Sequence, residues 1–177
     1  MRILRAADQQ RVAWRNGAGL TTELAGGGAA SDFAWRVSLA DVVEDCEFSV
    51  FPDVDRTIVL VEGDGMVLEL DGVEHELTRF VPFGFDGGAA VRCRVAGPTR
   101  DLNLMTRRGR ASGTVAVESA PLTVEAGDHL VVVCLEGSVG VEVEALAETL
   151  AAGDVMELDG SARITGAGRV AVIRVRT

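Results

Sequence analysis

Residues 57–87, TIVLVEGDGMVLELDGVEHELTRFVPFGFDG, can be laid on residues 130–160, LVVVCLEGSVGVEVEALAETLAAGDVMELDG. Each copy opens on an apolar strand ending in Glu-Gly, at Glu62-Gly63 and Glu136-Gly137, 74 positions apart. Each continues with a second alternating strand, a further leucine-bearing strand and a turn ending in Asp-Gly. Later apolar strands close each copy: CRVAGPTRDLNLMT (93–106) in the first and GRVAVIRVRT (168–177) in the second. Such self-similarity marks a duplicated structural unit. Two units of six to eight strands predict two β-barrels or sandwiches packed together, each hiding the sheet edges that invite aggregation.

The rest of the chain agrees, because alternation by twos dominates it. WRVSLADV (35–42) puts Trp35, Val37 and Leu39 on one face and Arg36 and Ser38 on the other. Residues 57–72 read as two strands joined by a Gly-Asp-Gly turn. RDLNLMT (100–106) sets Asp101, Asn103 and Met105 against Leu102 and Leu104. The best helical candidate, EALAETLAAG (144–153), breaks at a glycine after about two turns. The expected fold class is all-β, with the first unit over residues 1–110 and the second over 111–177.

Composition excludes several function classes. A chain of 177 residues with 47% hydrophobic and 25% charged residues is that of a soluble globular protein. No apolar run approaches the roughly 20 residues of a membrane span, and MRILRAADQQ lacks the apolar segment of a secretory signal. Cys46, Cys93 and Cys134 are widely spaced and odd in number, suggesting neither a disulfide framework nor a thiolate metal site. The expected location is the cytoplasm. A net charge of −10 argues against nucleic acid as a partner, and TRRGR (106–110) is the only basic cluster.

An apolar strand ending in Glu-Gly, a strand pair and then AAGDVMEL (151–158) resembles the cupin jelly roll, and its duplication resembles a bicupin. Four further motifs occur in order: WRNGAGLTTEL (14–24), WRVSLADV (35–42), FSVFPDVDRTIVLVEGDG (48–65) and RDLNLMTRRG (100–109). Together they resemble the Ves/HutD family. The family's Pro before the first Trp, Lys after it and three consecutive glycines are here Ala13, Arg15 and Gly17-Ala18-Gly19. The resemblance implies a bicupin fold and a link to histidine utilisation through binding of a small pathway metabolite. It brings no established enzymatic activity.

The residues themselves weigh against most catalytic systems. A metal-dependent cupin needs several converging histidine and carboxylate ligands, and the chain has only His75 and His129, in different copies. No metal and no cofactor is therefore expected. No G-x-S-x-G nucleophile motif occurs, and the acids around Cys46 would suppress its thiolate. Asp55, Asp101, Glu23 and Glu62 remain available for acid–base work.

The two copies differ where a ligand would sit. The closing strand of the first offers Asp101, Asn103 and Met105, whereas the second offers VAVIRV (170–175). Polar residues on inward faces are costly unless partnered. Either Arg36, Asp55, Arg56 and Asp101 satisfy one another as ion pairs, or they surround a ligand. The expected binding set is Trp14, Asn16, Gly17, Thr21, Glu23, Trp35, Arg36, Ser38, Asp55, Arg56, Asp101, Asn103 and Met105. Gly17 and Gly19 would bring backbone close to the ligand, Asn16 would offer donor and acceptor, and Asp55 and Asp101 would hold the arginines. The leading reading is a non-catalytic binder of a small carboxylate such as urocanate, formiminoglutamate or formylglutamate. The alternatives are a metal-free isomerase or hydrolase using Asp101 or Glu23, and a scaffold without a ligand.

Overall fold

The structure, a computed structural model, describes residues 1–14, 17–29, 32–144 and 146–177. These residues form strands throughout, with one short 3-10 turn at Ala6–Asp8. The fold is all-β. No helix among the described residues is long and apolar enough to cross a membrane.

The chain divides into two compact units, Gln10–Ser112 and Met1–Gln9 with Gly113–Thr177. The first nine residues thus group with the C-terminal unit and not with the 1–110 stretch. Arg2, Ile3 and Leu4 pair antiparallel with Glu157, Met156 and Val155. So distant a pairing leaves no local pattern in the sequence.

The Gln10–Ser112 unit has two sheets. Six strands run in the order Arg11–Ala13, Gly19–Ala29, Asp32–Val42, Thr99–Arg107, Val54–Glu62 and Phe83–Asp86. Four run in the order Cys46–Glu47, Val91–Val95, Met66–Leu70 and Val73–Glu76. Val42, Ile58, Leu60, Met66, Leu68, Leu77, Val91 and Cys93 form its buried apolar cluster. His75 adjoins this cluster, its ring 4.9 Å from that of Phe83.

Residues 57–72 do not make the expected hairpin. Val54–Glu62 belongs to the six-stranded sheet and Met66–Leu70 to the four-stranded one, so the chain changes sheets at Gly63. That residue has φ +111°, and an added Cβ would meet Pro98 O at 2.9 Å. The hairpin forms one strand later, between Met66–Leu70 and Val73–Glu76. Its two turn residues, Asp71 and Gly72, both have positive φ, as a type I′ turn requires.

The second unit is one seven-stranded sheet, with His129–Val143 and Ala162–Arg176 paired along nearly their whole length. At the position equivalent to Gly63, Gly137 sits beside a register shift and the strand continues through it. Leu146–Ala151, part of the best helical candidate, is a strand paired with His129–Val143. Val170 and Val172 lie in an entirely apolar cluster with Leu130, Met156 and Ile164.

Candidate functional site

The site is built on one face of the six-stranded sheet, and register decides which side chains meet there. Thr99–Arg107 runs between Asp32–Val42 and Val54–Glu62. Met105 lies opposite Arg36 on one neighbour and Arg56 on the other. Asn103 lies opposite Ser38 and Ile58, and Asp101 opposite Ala40 and Leu60. Same-face positions recur every second residue, so these rows form one surface: arginines at one end, amide and hydroxyl between, carboxylate beyond. Val42, Ile58 and Leu60 continue the same face into the apolar cluster.

A cavity of about 510 Å³ lies over this surface, within the range of small-ligand sites. The sheet contributes Arg36, Ser38, Ala40, Arg56, Asp101, Asn103 and Met105 to its lining. Ala13, Trp14 and Thr21 line it from the first two strands and their connection, and Glu47, Phe48, Ser49 and Phe51 from the segment around Cys46–Glu47.

A short relay runs through the floor. Arg56 Nη2 donates to Asn103 Oδ1 at 2.9 Å, and Asn103 Nδ2 donates to Asp101 Oδ1. Guanidinium only donates, so the Asn103 oxygen must face Arg56 and its amide must face Asp101. Arg36 Nη2 has the Met105 sulfur at 3.1 Å, a weak acceptor. Aromatic faces hold both cations: Phe33 and Phe51 lie 4.9 and 5.8 Å from Arg36, and Phe85 and Phe48 lie 4.9 and 5.1 Å from Arg56. Neither arginine makes an ion pair with a described residue. Arg36 Nε, Arg56 Nε and Asp101 Oδ2 are buried without a hydrogen-bond partner among the described residues. An unpartnered buried polar atom costs about 1–3 kcal/mol, so these three atoms are where a polar ligand gains most.

The Trp14 turn forms one wall. Trp14 N donates to Gly19 O and Gly17 N to Trp14 O, closing the loop on itself. The indole Nε1 donates to Thr21 Oγ1 at 2.6 Å, and its ring meets Phe48 edge-on at 6.5 Å. A Cβ at Gly19 would strike Asp41 O at 2.5 Å and the Trp14 ring at 3.1 Å. Gly19 makes room for the tryptophan and the neighbouring strand, not for a ligand.

The sequence model of the HutD family matches residues 6–173. The chain belongs to the HutD family. It is 39% identical to protein Ves of Citrobacter koseri over 129 residues, 71% of this chain and 68% of that protein. It is also 39% identical, over 59% of this chain and 57% of the other, to a 21.2 kDa protein of Pseudomonas putida encoded in the hutC 3′ region. HutD from Pseudomonas fluorescens SBW25, determined in a formate condition, superimposes with a TM-score of 0.84 at 31% identity, over 99% of both chains. At 8% identity, a cupin 2 conserved barrel domain protein from Leptotrichia buccalis shares the fold with a TM-score of 0.62, over 93% of this chain and 92% of that one.

In this HutD-family chain, Trp14, Thr21, Arg36, Ser38, Arg56, Asp101, Asn103 and Met105 meet at the cavity as the alternation predicts. Four expected residues do not line it. Trp35 is buried but adjacent to Arg36, hence on the opposite face. Asp55 precedes Arg56 and for the same reason points away, its carboxylate 2.7 Å from Arg108 Nη2. Gly17 is exposed, with nothing within 4 Å of an added Cβ; its φ of +77° serves the turn. Glu23 is exposed, although its charge reaches Arg36. Asn16 lies outside the described residues.

The ion-pair reading of Arg36, Asp55, Arg56 and Asp101 therefore gives way to an open relay. Sequence reasoning missed Phe48 and Phe51, which sit in an irregular segment without periodicity; their signal was the rarity of aromatics in the chain. Among the described residues no group of three His, Cys, Asp or Glu side chains is placed to hold a metal ion. Burial, more than Asp45 or Glu44, raises the Cys46 thiol, and Asp101 adds to it.

Burial takes Arg56 down to about 10, Asp101 opposing the shift and Arg36 adding to it. Burial lifts Asp101 to about 7 against the pull of Arg56 and Asn103, with Asp41 adding to the rise. A carboxyl raised in the folded state holds its proton between its unfolded value near 4 and 7. Its stabilising contribution is therefore complete below pH 4 and lost as pH rises through 7. The ligand-free protein is expected to lose about 2–3 kcal/mol between pH 5 and 8 from this group, one pKa unit being about 1.4 kcal/mol. Urea titrations across that range test it: Asp101→Asn should flatten the slope, and an unchanged slope would refute the assignment.

Proposed function

We propose that this protein is a non-catalytic, cytoplasmic binder of a small carboxylate, a bicupin whose single ligand site lies in the Gln10–Ser112 unit and which acts in the control of histidine utilisation. The observation that carries the reading is a pair of arginines, Arg56 buried and Arg36 half-buried, lining one cavity without an ion-pair partner among the described residues, the Nε of each buried and unpartnered there. A carboxylate supplies both the charge and the planar acceptor pair that guanidinium groups fit. The net charge of −10 does not oppose this, because salt screens distant charge beyond about 8 Å. Family membership and the hutC-region relative support the link to histidine breakdown.

One observation favours a second reading. A buried carboxyl near 7 in a cleft is the kind of group that acid–base catalysis requires, so a metal-free isomerase or hydrolase using Asp101 stands beside the binder. One screen separates the two. Urocanate, formiminoglutamate and formylglutamate are each added while thermal stability and turnover are followed. A ligand at about 100 times its Kd should raise Tm by about 5–10 °C. A shift without turnover supports the binder, turnover supports the enzyme, and neither refutes the carboxylate reading.

A further inference from the structure

We propose that the ligand of this site is a singly charged carboxylate that also carries a neutral N–H donor, the carboxylate seated on Arg36 and Arg56 and the N–H delivered to Asp101 Oδ2. This rests on the carboxylate reading above and adds the second half of the molecule. Three buried polar atoms of the cavity are without hydrogen-bond partners among the described residues, and they are of opposite kinds: two guanidinium donors and one carboxylate acceptor. A bare carboxylate answers the donors and leaves Asp101 Oδ2 unanswered.

The relay fixes Asp101 Oδ1 as an acceptor, and at pH 8 the ionised carboxylate accepts at Oδ2 as well. Asn103 must present its oxygen to Arg56 and therefore its amide to Asp101 Oδ1, leaving Oδ2 as the carboxylate's free edge. Charge counting gives the ligand's valence. On the sheet face itself, above the pKa of Asp101, two guanidinium groups and one carboxylate leave one positive charge, which one anionic group balances; Glu47, the other acid of the lining, is exposed to solvent and screened. A second anion would meet Glu47 in the same lining. An ammonium donor would restore the imbalance, so the N–H is a neutral one, as in an amide or an azole.

The distances suit a short molecule. Arg56 reaches back to Asn103, one same-face row from Asp101, and such rows are about 7 Å apart. A ligand hydrogen-bonded at both ends of that span has only a few bonds between its N–H and its carboxylate. Trp14, Phe48 and Phe51 flank the cavity with flat apolar surface for the remaining atoms.

The test compares N-acetylglycine with acetoxyacetate, which has the same shape with an ester oxygen in place of N–H, and with acetate, by calorimetry at pH 8. N-acetylglycine is expected to bind the wild type about 10- to 100-fold more tightly than acetoxyacetate, because the ester leaves Asp101 unpaired and faces it with an acceptor. In Asp101→Asn the side-chain amide turns to the ligand, and the preference should vanish or invert. Equal affinity of the two probes for the wild type overturns the proposal while leaving the carboxylate reading intact. So does binding of acetate alone, or a preference undiminished in Asp101→Asn. Failure of all three to bind overturns both. The wild-type comparison decides even where the variant does not fold.

Discussion

Replacing Arg56 with alanine is expected to weaken carboxylate binding at least about 100-fold while leaving the ligand-free protein no less stable. Charge-assisted hydrogen bonds contribute about 1.5–3 kcal/mol each, and two of them exceed the 2.8 kcal/mol or so that a hundredfold change in Kd represents. Stability responds differently because Arg56 is buried at a cost. Arg56 is 8% exposed, its Nε is unpartnered, and it lacks an ion-pair partner among the described residues. Removing a buried, incompletely paired charge relieves that cost, at the expense of one bond to Asn103. Arg36→Ala should also abolish binding, and Arg36→Lys should weaken it about tenfold, since a point charge replaces a planar fork. Calorimetry with a small carboxylate, paired with thermal denaturation of each ligand-free variant, reads both effects. Undiminished affinity in both alanine variants, or two sites per chain, would remove the binding proposal.

How much of this was legible in the sequence depended on whether period-two alternation governed the residue. Arg36 and Ser38, and likewise Asp101, Asn103 and Met105, could be placed on a common face because regular strands carry them. The same rule, applied strictly, would have removed Asp55 and Trp35, each one step out of phase with a true lining residue. Charge complementarity drew Asp55 toward Arg56, yet adjacent residues in a strand face opposite ways. Phe48 and Phe51 could not be found by alternation, since the backbone between Glu47 and Val54 is not extended in a regular strand. The duplication foretold the fold class but not what happens at its hinge. Gly63 sends the first copy's chain into a second sheet, whereas the second copy's strand runs on past Gly137. Both positions read Glu-Gly, and the divergence is set by what the following strand pairs with.

Asp154→Ala is expected to destabilise the unit formed by residues 1–9 and 113–177 by about 3–5 kcal/mol, the largest stability loss of any single substitution proposed for it. This side chain comes from the AAGDVMEL stretch and is buried, 7% exposed. Oδ1 accepts from Ala6 N at 2.8 Å, and Oδ2 accepts from Ala151 N at 3.1 Å and Arg5 Nη1 at 3.0 Å. One carboxylate therefore joins the N-terminal segment to the turn before Val155–Leu158, beside the pairing of Arg2–Leu4 with that strand. Alanine would leave the Ala6 and Ala151 amides without acceptors, at about 1–3 kcal/mol each where water cannot reach them, and would forfeit the charge-assisted part of each bond. Asp154→Asn keeps an oxygen for one amide but turns an NH₂ toward a donor, so it should fall between alanine and wild type. Burial alone would raise this carboxyl, but the Ala6 and Ala151 amides and Arg5 together hold it below the ordinary range. Its contribution is therefore complete at neutral pH and lost as pH falls below about 4, opposite in sign to that of Asp101. Denaturant unfolding of wild type, Asp154→Ala and Asp154→Asn at pH 7 measures the effect. A loss under about 1 kcal/mol in Asp154→Ala would mean that the N-terminal strand is held by its backbone pairing alone.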